Sequence, residues 1–339
     1  MKPLRVLTLM HDYLVPPDDT EGVDVIQAPW KMEFDVVSHL ADLGHQVRKV
    51  GVNDDLGVVR QAIADFAPQI VFNLMEGFAE IGVFDQHVVS YLELSKVPYT
   101  GCNPRGLMLS RDKALAGTLF AYHRIPAPDF AVVRMGRVPR VQKRMGFPLI
   151  VKSLTQEASI GISQASIVED EAALRERVTF IHQSIGTDAI VKRYIDGREL
   201  YVGVLGNERL HVFPVWEMSF AQMPDRAHRI ASARVKWNDA YREKYGIVTG
   251  PADLPADVAR RIQHLCKRVF RTLDLSGYAR IDLRLDAVGR VHVLEANPNP
   301  QLAYGEDFAE AAEHAGVSYE ALLQRILGLG LRWRPGLAG

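Results

Sequence analysis

The chain has 339 residues, of which 47% are apolar and 24% charged, and its formal net charge is -1. These are ordinary values for a soluble protein of two or three subdomains, and the balanced charge argues against nucleic-acid or membrane-surface partners. The 2 cysteines, Cys102 and Cys266, are too few for a disulfide framework or a cysteine-rich metal site. No window approaches the roughly 18 apolar residues of a membrane-spanning helix. We therefore expect a cytoplasmic soluble enzyme.

Strands and helices alternate along the first third of the chain. Apolar runs predict strands, and apolar residues at helical spacing predict helices, one of which ends at the C-cap signal Gly44. The predicted elements are strands at 4–10, 47–52 and 68–74 and helices at 30–47 and 84–97. Because short connections join alternating strands and helices, the sequence predicts a parallel α/β domain over residues 1–102.

A small central subdomain is predicted over residues 103–187. Its first helix has Ser110 as candidate N-cap and stops before Pro126. The strands that follow are expected to pair antiparallel around a loop. The predicted elements are a helix at 110–130, strands at 147–153 and 163–169, and a helix at 170–184.

The remaining chain, residues 188–335, is interpreted as a third subdomain built on an antiparallel sheet. Asp196-Gly197 and Gly206-Asn207 are turn signals between its strands. The segment 220–254 resembles a loop, and loops of such length are usually functional or mobile. The predicted elements are strands within 188–218, a helix at 255–275, a hairpin at 280–297, and helices at about 306–315 and 318–329.

The hairpin RIDLRLDAVGRVHVLEAN places two acids opposite each other. With its turn at Val288-Gly289, Asp282 faces Glu295, and Arg280 pairs with Asn297 on the same face. Directly opposed carboxylates repel, and a divalent cation such as Mg²⁺ removes the conflict by binding hard oxygen ligands. Arg280 beside them can hold a phosphate or a developing oxyanion. The alternative is a solvated strand face on which Arg280 neutralises the acids.

Two lysines upstream of the hairpin are candidate phosphate ligands. Lys152 ends the apolar strand FPLIV and precedes the small-residue loop SLTQEASIGIS, whose backbone N–H groups can cradle phosphates together with the ammonium. Lys113 lies in the first turn of its helix, where the macrodipole disfavours a cation unless an anion is near. Taken alone, each lysine is more often structural than functional.

In combination, these motifs resemble the ATP-grasp superfamily. The motifs are DK at 112–113, PLIVKS at 148–153, VKRYIDGREL at 191–200, RID at 280–282 and LEANPNP at 294–300. Within the superfamily, the chain is most similar to the D-alanine–D-alanine ligase family, and VFNLMEGF, YLELSKVPYTGC and EAAEHAGVSYEALLQRIL are in register with it. The resemblance covers essentially the whole chain. It implies an ATP-grasp fold, α/β and α+β, with ATP between the central and C-terminal subdomains.

The resemblance also implies a role for each matched residue. The nucleotide ligands would be Lys113 and Lys152 for the phosphates, Ser159 in the following loop, Glu199 for the ribose, and Lys192, Arg193, Tyr194 and Ile195 for the adenine hinge. The metal ligands would be Asp282, Glu295 and Asn297. The catalytic residues would be Arg280, which steadies the acyl phosphate, and the loop lysine Lys236, for which Lys244 is a rival. The cofactors would be ATP and two Mg²⁺ ions, with Mn²⁺ as an alternative, and a homodimer would form through the N-terminal domain.

Four stretches depart from the family's pattern. HDYLVPPDDTEG replaces a Gly-Gly-x-Ser-x-Glu signature, for which Glu33 is a candidate replacement, and MEGFAEIGVFDQ retains Glu76 as an acid. Lys192 stands where the family has an acid that accepts from the adenine amino group, and a lysine cannot accept that bond. NPNPQLAYGED places Glu306 and Asp307 near a serine that meets the second substrate's carboxylate. Acids there suit a cationic acceptor, or they cap the following helix.

We expect ATP- and Mg²⁺-dependent ligation of a small-molecule carboxylate to an amine, through an acyl phosphate. Phosphoryl transfer asks a protein mainly for positioning and charge neutralisation, which lysines, an arginine and metal ions supply. Two alternatives stay open. One is an authentic D-alanine–D-alanine ligase, and the other is a regulatory module that binds a nucleotide without turning it over.

Overall fold

A computed structural model describes residues 2–140, 143–156, 159–224 and 227–335. Its strands are β1 (Arg5–His11), β2 (Gln46–Val52), β3 (Ile70–Asn73), β4 (Phe130–Val133), β5 (Leu149–Ser153), β6 (Ile167–Val168), β7 (Ala189–Arg193), β8 (Arg198–Leu205), β9 (His211–Val212), β10 (Trp216–Phe220), β11 (Ile247–Pro251), β12 (Tyr278–Leu285) and β13 (Val291–Pro298). Its α-helices are α1 (Lys31–Asp42), α2 (Gly57–Phe66), α3 (Asp85–Leu94), α4 (Pro104–Arg111), α5 (Lys113–Tyr122), α6 (Glu171–Phe180), α7 (Ala233–Trp237), α8 (Asp239–Lys244), α9 (Ala256–Thr272), α10 (Asp307–His314) and α11 (Tyr319–Arg332).

The first sheet is parallel, with the strand order β2-β1-β3. Its strands are apolar because helices cover the sheet, and Val6, Leu7, Leu9 and Val71 are fully buried. The predicted parallel α/β fold of the N-terminal part is therefore confirmed. Helix α2, between β2 and β3, is an element that the sequence analysis does not predict.

The second sheet is antiparallel, with the order β4-β7-β5-β6. Strand β7 lies between β4 and β5, with Lys192 opposite Phe130 and Ile150. The boundary expected at 187/188 separates β7 from the sheet to which it is hydrogen-bonded. We therefore propose to place the end of the central subdomain after Arg193.

The third sheet has the order β11-β10-β8-β12-β13, with β9 paired to β8. All its pairings are antiparallel, which confirms the fold class expected for the C-terminal part. Helix α9 packs its apolar face on this sheet through the fully buried residues Ile262, Cys266 and Val269. Within the described ranges, no helix is both long and apolar enough to cross a lipid bilayer.

Two local predictions are wrong. The helix expected at 110–130 is shorter: it is α5, Lys113–Tyr122, whereas Ser110 belongs to the last turn of the preceding helix α4. The Asp112 carboxylate accepts from the backbone N–H groups of Ala114 and Leu115 at 2.9 Å, so this residue is the N-cap rather than Ser110. The segment 220–254 is not a simple loop, because it contains α7, α8 and β11.

Candidate active site

A cleft lies between the second and third sheets. Strands β5 and β7 contribute one wall through Ile150, Lys152 and Lys192, and β12 and β13 contribute the opposite wall through Asp282 and Glu295. The apolar side chains that line it come from both walls, and charged side chains lie beside them. A cleft of this kind can hold a ligand that has a flat apolar ring and a charged group.

Most of the residues predicted from the sequence line this one cleft. The predicted residues in its lining are Lys113, Lys152, Ser159, Lys192, Arg193, Tyr194, Ile195, Glu199, Lys236, Asp282 and Glu295. They come from all parts of the chain after residue 112, so the fold brings together positions that the sequence holds far apart. Their individual roles stay predictions.

The hairpin of β12 and β13 has the register predicted for its acids. Asp282 pairs with Glu295 and Arg280 pairs with Asn297. The register then shifts by one residue beyond Asp282, so Leu294 is an extra residue on β13. This bulge is not predicted by the sequence analysis, and Leu294 lines the cleft.

Arg280 forms the ion pair that the alternative interpretation of this hairpin expected. Its Nε donates to one oxygen of the Asp282 carboxylate at 2.8 Å, and its terminal nitrogen donates to the other at 3.1 Å. The Asn297 amide also donates to Asp282, at 3.0 Å. The guanidinium carbon lies 4.7 Å from the centre of the Tyr201 ring. Arg280 is therefore fixed from several sides next to the cleft.

Glu295 is surrounded by positive charge. Burial alone would raise the pKa of this carboxyl, but Lys152, Lys113, Lys192 and Lys236 together lower it to about 2. The lysine Lys113 is itself buried and donates to the backbone carbonyl of Gln156 at 2.7 Å. Among the described lining residues, basic side chains outnumber acidic ones, which favours an anionic ligand.

Lys192 lies at the base of the cleft and joins the two sheets. Its Nζ donates to the backbone carbonyl of Leu294, the bulge residue, at 3.1 Å. Burial lowers the pKa of Lys192 to about 7; Lys152 and Lys113 act in the same direction, and Glu295 opposes them. In its charged form this side chain donates only, so it then offers no acceptor to a base amino group.

Arg284 is a cleft residue that the sequence analysis missed. It lies two residues after Asp282 and therefore on the same face of β12. Its guanidinium donates to the Glu199 carboxylate, and Glu199 also accepts from the Tyr201 hydroxyl at 3.0 Å. The available signal was the alternation of β12, in which Arg280, Asp282 and Arg284 share one face.

The segment before α7 closes one side of the cleft. The Ser159 hydroxyl donates to the Ala231 carbonyl at 2.7 Å, and the backbone N–H of Ala233 donates to Ile162 at 3.1 Å. Ser159 has φ of 60°, a left-handed conformation that is uncommon outside glycine. Part of the loop after Lys152, residues 157–158, lies outside the described residues.

Lys236 and Lys244 lie in different places. Lys236 is in α7 and lines the cleft. Lys244 ends α8 and has its ammonium 5.3 Å from the centre of the Tyr245 ring. Of the two rivals, Lys236 is the one near the other predicted phosphate ligands.

The oxygen ligands of the hairpin fit a hard divalent cation. Among the residues that the structure describes, no group of three or more His, Cys, Asp or Glu side chains is placed to hold a metal ion. The predicted site has two carboxylates, Asp282 and Glu295, and the Asn297 amide. Mg²⁺ is typically bound by one or two carboxylates, and phosphate oxygens and water complete its coordination.

Two of the acids expected to meet substrate lie at the carboxyl edge of the first sheet. Glu33 is in the first turn of α1, is 1% exposed, and has one carboxylate oxygen with no hydrogen-bond partner. Burial raises the pKa of Glu33 to about 7, and Glu76 acts in the same direction. Glu76 follows β3, and its backbone carbonyl accepts from Arg111 at 3.3 Å. Neither residue lines the interlobe cleft.

Glu306 and Asp307 lie at the N-terminus of α10. Glu306 is the N-cap residue, but its side chain accepts no hydrogen bond from the first turn of the helix. Burial raises the pKa of Glu306, as does Asp307, while Arg242, Lys31 and Arg280 lower it. No side-chain hydrogen bond therefore supports a capping role for Glu306. The two acids and Arg280 influence one another electrostatically.

Two lobes built on separate antiparallel sheets, with a charged cleft between them and a parallel α/β domain before them in the chain, define the ATP-grasp class of ligases. The sequence matches the family described as D-ala D-ala ligase C-terminus over residues 119–328. The chain belongs to the D-alanine–D-alanine ligase family.

Relatives and solved structures cover most of the chain. It is 32% identical to the uncharacterized protein y4sG of Sinorhizobium fredii over 90% of this chain and 89% of that protein. It is 30% identical to a D-alanine–D-alanine ligase of Desulforudis audaxviator over 87% of this chain and 90% of that protein. The structure of the Bacillus anthracis D-alanine–D-alanine ligase complexed with ATP covers 97% of this chain and 98% of its own at 19% identity, with a TM-score of 0.74.

Proposed function

We propose that the protein is an ATP- and Mg²⁺-dependent carboxylate–amine ligase that forms an amide through an acyl phosphate. The observation that carries the proposal is the convergence of Lys113, Lys152, Lys192 and Lys236 on a cleft that also contains Asp282 and Glu295. A polyphosphate with its metal ions would be attracted to this lysine cluster, and the carboxylates would supply ligands for the metal.

The nucleotide would lie along the cleft. Ile150 and Leu294 approach from opposite walls and would enclose the base, and Glu199 would accept from the ribose hydroxyls. Lys113, Lys152 and Lys236 would bind the phosphates. Family membership and the ATP named for the Bacillus anthracis ligase support this placement.

Metal ions held by Asp282, Glu295 and Asn297 would neutralise charge on the transferred phosphoryl group. Arg280 is next to these residues and is held by Asp282. It would bind the substrate carboxylate before transfer and the oxyanion after the amine attacks. The carboxylate oxygen attacks the γ-phosphorus to give an acyl phosphate and ADP. The amine then attacks the carbonyl carbon, loses a proton and expels phosphate.

The substrates are proposed to be small and amino-acid-like, because the relatives with named activities are D-alanine–D-alanine ligases. Two observations separate this chain from an authentic D-alanine–D-alanine ligase. Glu306 and Asp307 would repel the carboxylate of a second amino acid, and HDYLVPPDDTEG, residues 11–22, replaces the family's Gly-Gly-x-Ser-x-Glu signature.

Hydroxylamine tests the proposal without knowledge of the amine. With Mg-ATP and a panel of amino acids and other small carboxylates, the proposed chemistry gives a hydroxamate, because hydroxylamine intercepts the acyl phosphate. Tight ATP binding without hydroxamate from any carboxylate, and without substrate-dependent ADP release, would favour the regulatory module instead.

A further inference from the structure

Arg284 connects four parts of the cleft through one guanidinium. It is 3% exposed and donates to the backbone carbonyl of Gly197 at 3.0 Å, to the Glu199 carboxylate and to the backbone carbonyl of Arg229. Its guanidinium carbon lies 5.8 Å from the centre of the Tyr194 ring. A buried arginine with three oxygen acceptors is held in one orientation, and its planar fork fixes those acceptors in turn.

The acceptors belong to elements with separate tasks in the proposed function. Gly197 and Tyr194 belong to the hinge that follows β7, and Glu199 is the proposed ribose ligand. Arg229 belongs to the cleft loop, residues 227–232, which leads into α7 and so to Lys236. Arg284 therefore contacts both the proposed ribose ligand and the loop that leads to Lys236, a proposed phosphate ligand.

Among the described residues, the cleft loop is hydrogen-bonded to the third sheet through Arg284, and Ala227 and Ala231 add apolar contacts with the core under that sheet. Its other hydrogen bonds run mainly to the lobe of the second sheet, through Ser159, Ile162 and Gln164. Without Arg284, the loop would keep these bonds and the apolar contacts but lose its hydrogen bond to β12. Loss of this bond should make local opening of the loop easier.

We propose that Arg284 is a positioning residue that links nucleotide binding to closure of the cleft loop. Its guanidinium orients the Glu199 carboxylate toward the ribose and anchors the Arg229 carbonyl. The ribose site and the loop that positions Lys236 therefore form together. This inference rests on the proposed function for the roles of Glu199 and Lys236.

The test is hydrogen exchange of the cleft loop, with and without a non-hydrolysable Mg-ATP analogue, combined with measurement of analogue affinity. Arg284→Met should speed exchange at residues 229–233 in the nucleotide-free protein and weaken analogue binding about tenfold, as expected for a lost bond to a charged group. Glu199→Gln should weaken binding without speeding exchange, because the arginine still reaches Arg229. In the double variant the two losses of affinity should not add.

Arg198→Met is the matched control. Arg198 is on the same strand as Glu199 but pairs with Glu217 at 2.8 Å and does not line the cleft. It should leave loop exchange and affinity unchanged. If Arg284→Met is too unstable to purify, Arg284→Lys keeps the charge but cannot span three acceptors, and it should still speed loop exchange.

Two results would contradict the inference. If the analogue slows hydrogen exchange of the cleft loop equally in the wild-type protein and in the Arg284 variants, the link through Arg284 is wrong. The proposed function is then unaffected. No binding of the analogue to the wild-type protein would count against both the proposed function and the link.

Discussion

Asp282 and Glu295 face each other across β12 and β13, yet their charges are balanced from different sides. Arg280 holds Asp282 with two hydrogen bonds, whereas the lysines of the cleft surround Glu295. The pair is therefore not a symmetric carboxylate dyad. Asp282 orients Arg280, and Glu295 is the acid among the lysines that are proposed to bind phosphate.

Replacement of Glu295 by Gln should abolish turnover with little loss of fold. The amide keeps the shape but removes the charge that would bind a metal ion, so we expect kcat to fall about 100-fold or more. Asp286→Asn is the matched control in the same hairpin, because Asp286 pairs with Arg290 at the turn, at 2.9 Å. It should cost stability rather than activity. Full activity of Glu295→Gln in ADP release would reject the metal assignment.

Lys236 and Lys244 should respond differently to neutralisation. Lys236→Gln removes a cation that lines the cleft, so we expect the KM for ATP to rise about tenfold or kcat to fall by a similar factor. Lys244→Gln removes a cation next to the Tyr245 ring and should leave both constants close to wild type. Steady-state kinetics of the two variants decides between them, and the reverse pattern would assign the phosphate role to Lys244.

The alternation of the hairpin was enough to predict the face shared by Arg280, Asp282, Glu295 and Asn297. The bulge at Leu294 was not predictable, since nothing in the alternation of β13 marks one residue as extra. An arginine in a strand is usually solvated, so the sequence does not single out Arg284. Its contacts depend on the packing of the cleft loop. The short helices in the segment 220–254 lack a sustained apolar period, so the sequence predicts a loop there.

Glu33 should make the stability of the protein depend on pH. Its pKa in the folded protein, about 7, lies above the ordinary value of 4.5, so the folded state binds the proton more tightly than the unfolded state. Stability from this group is therefore fully present below pH 4.5 and is lost as pH rises through 7. The loss should be no more than about 3 kcal/mol. Urea unfolding at pH 5 and pH 8 should show this decline in the wild-type protein and a smaller decline in Glu33→Gln.

The exposed Glu171 provides the control for this comparison. Glu171→Gln, at the start of α6, should keep the wild-type decline in stability. Equal slopes in the wild-type protein and Glu33→Gln would show that the buried carboxyl is not the group responsible.

Glu306→Ser should widen the choice of amine. Serine removes a charge that repels carboxylates, so amino acids should improve as acceptors relative to amines that lack a carboxylate. The expected change in the ratio of kcat/KM values is about tenfold, the effect of one unfavourable charge contact. Competition between an amino acid and a simple amine, analysed by product mass, measures it. An unchanged ratio would leave Glu306 as a helix-terminal residue with no part in acceptor choice.

ADP release by the purified protein tests the central claim most directly. The protein would be supplied with Mg-ATP and a panel of single and paired amino acids, D-alanine included, together with simple amines. The account predicts substrate-dependent ADP release for a carboxylate–amine pair, with an amide formed in equal amount, and loss of that release in Glu295→Gln. Release with D-alanine alone would identify an authentic D-alanine–D-alanine ligase and contradict the argument from Glu306. ATP binding without release for any pair would contradict the ligase itself.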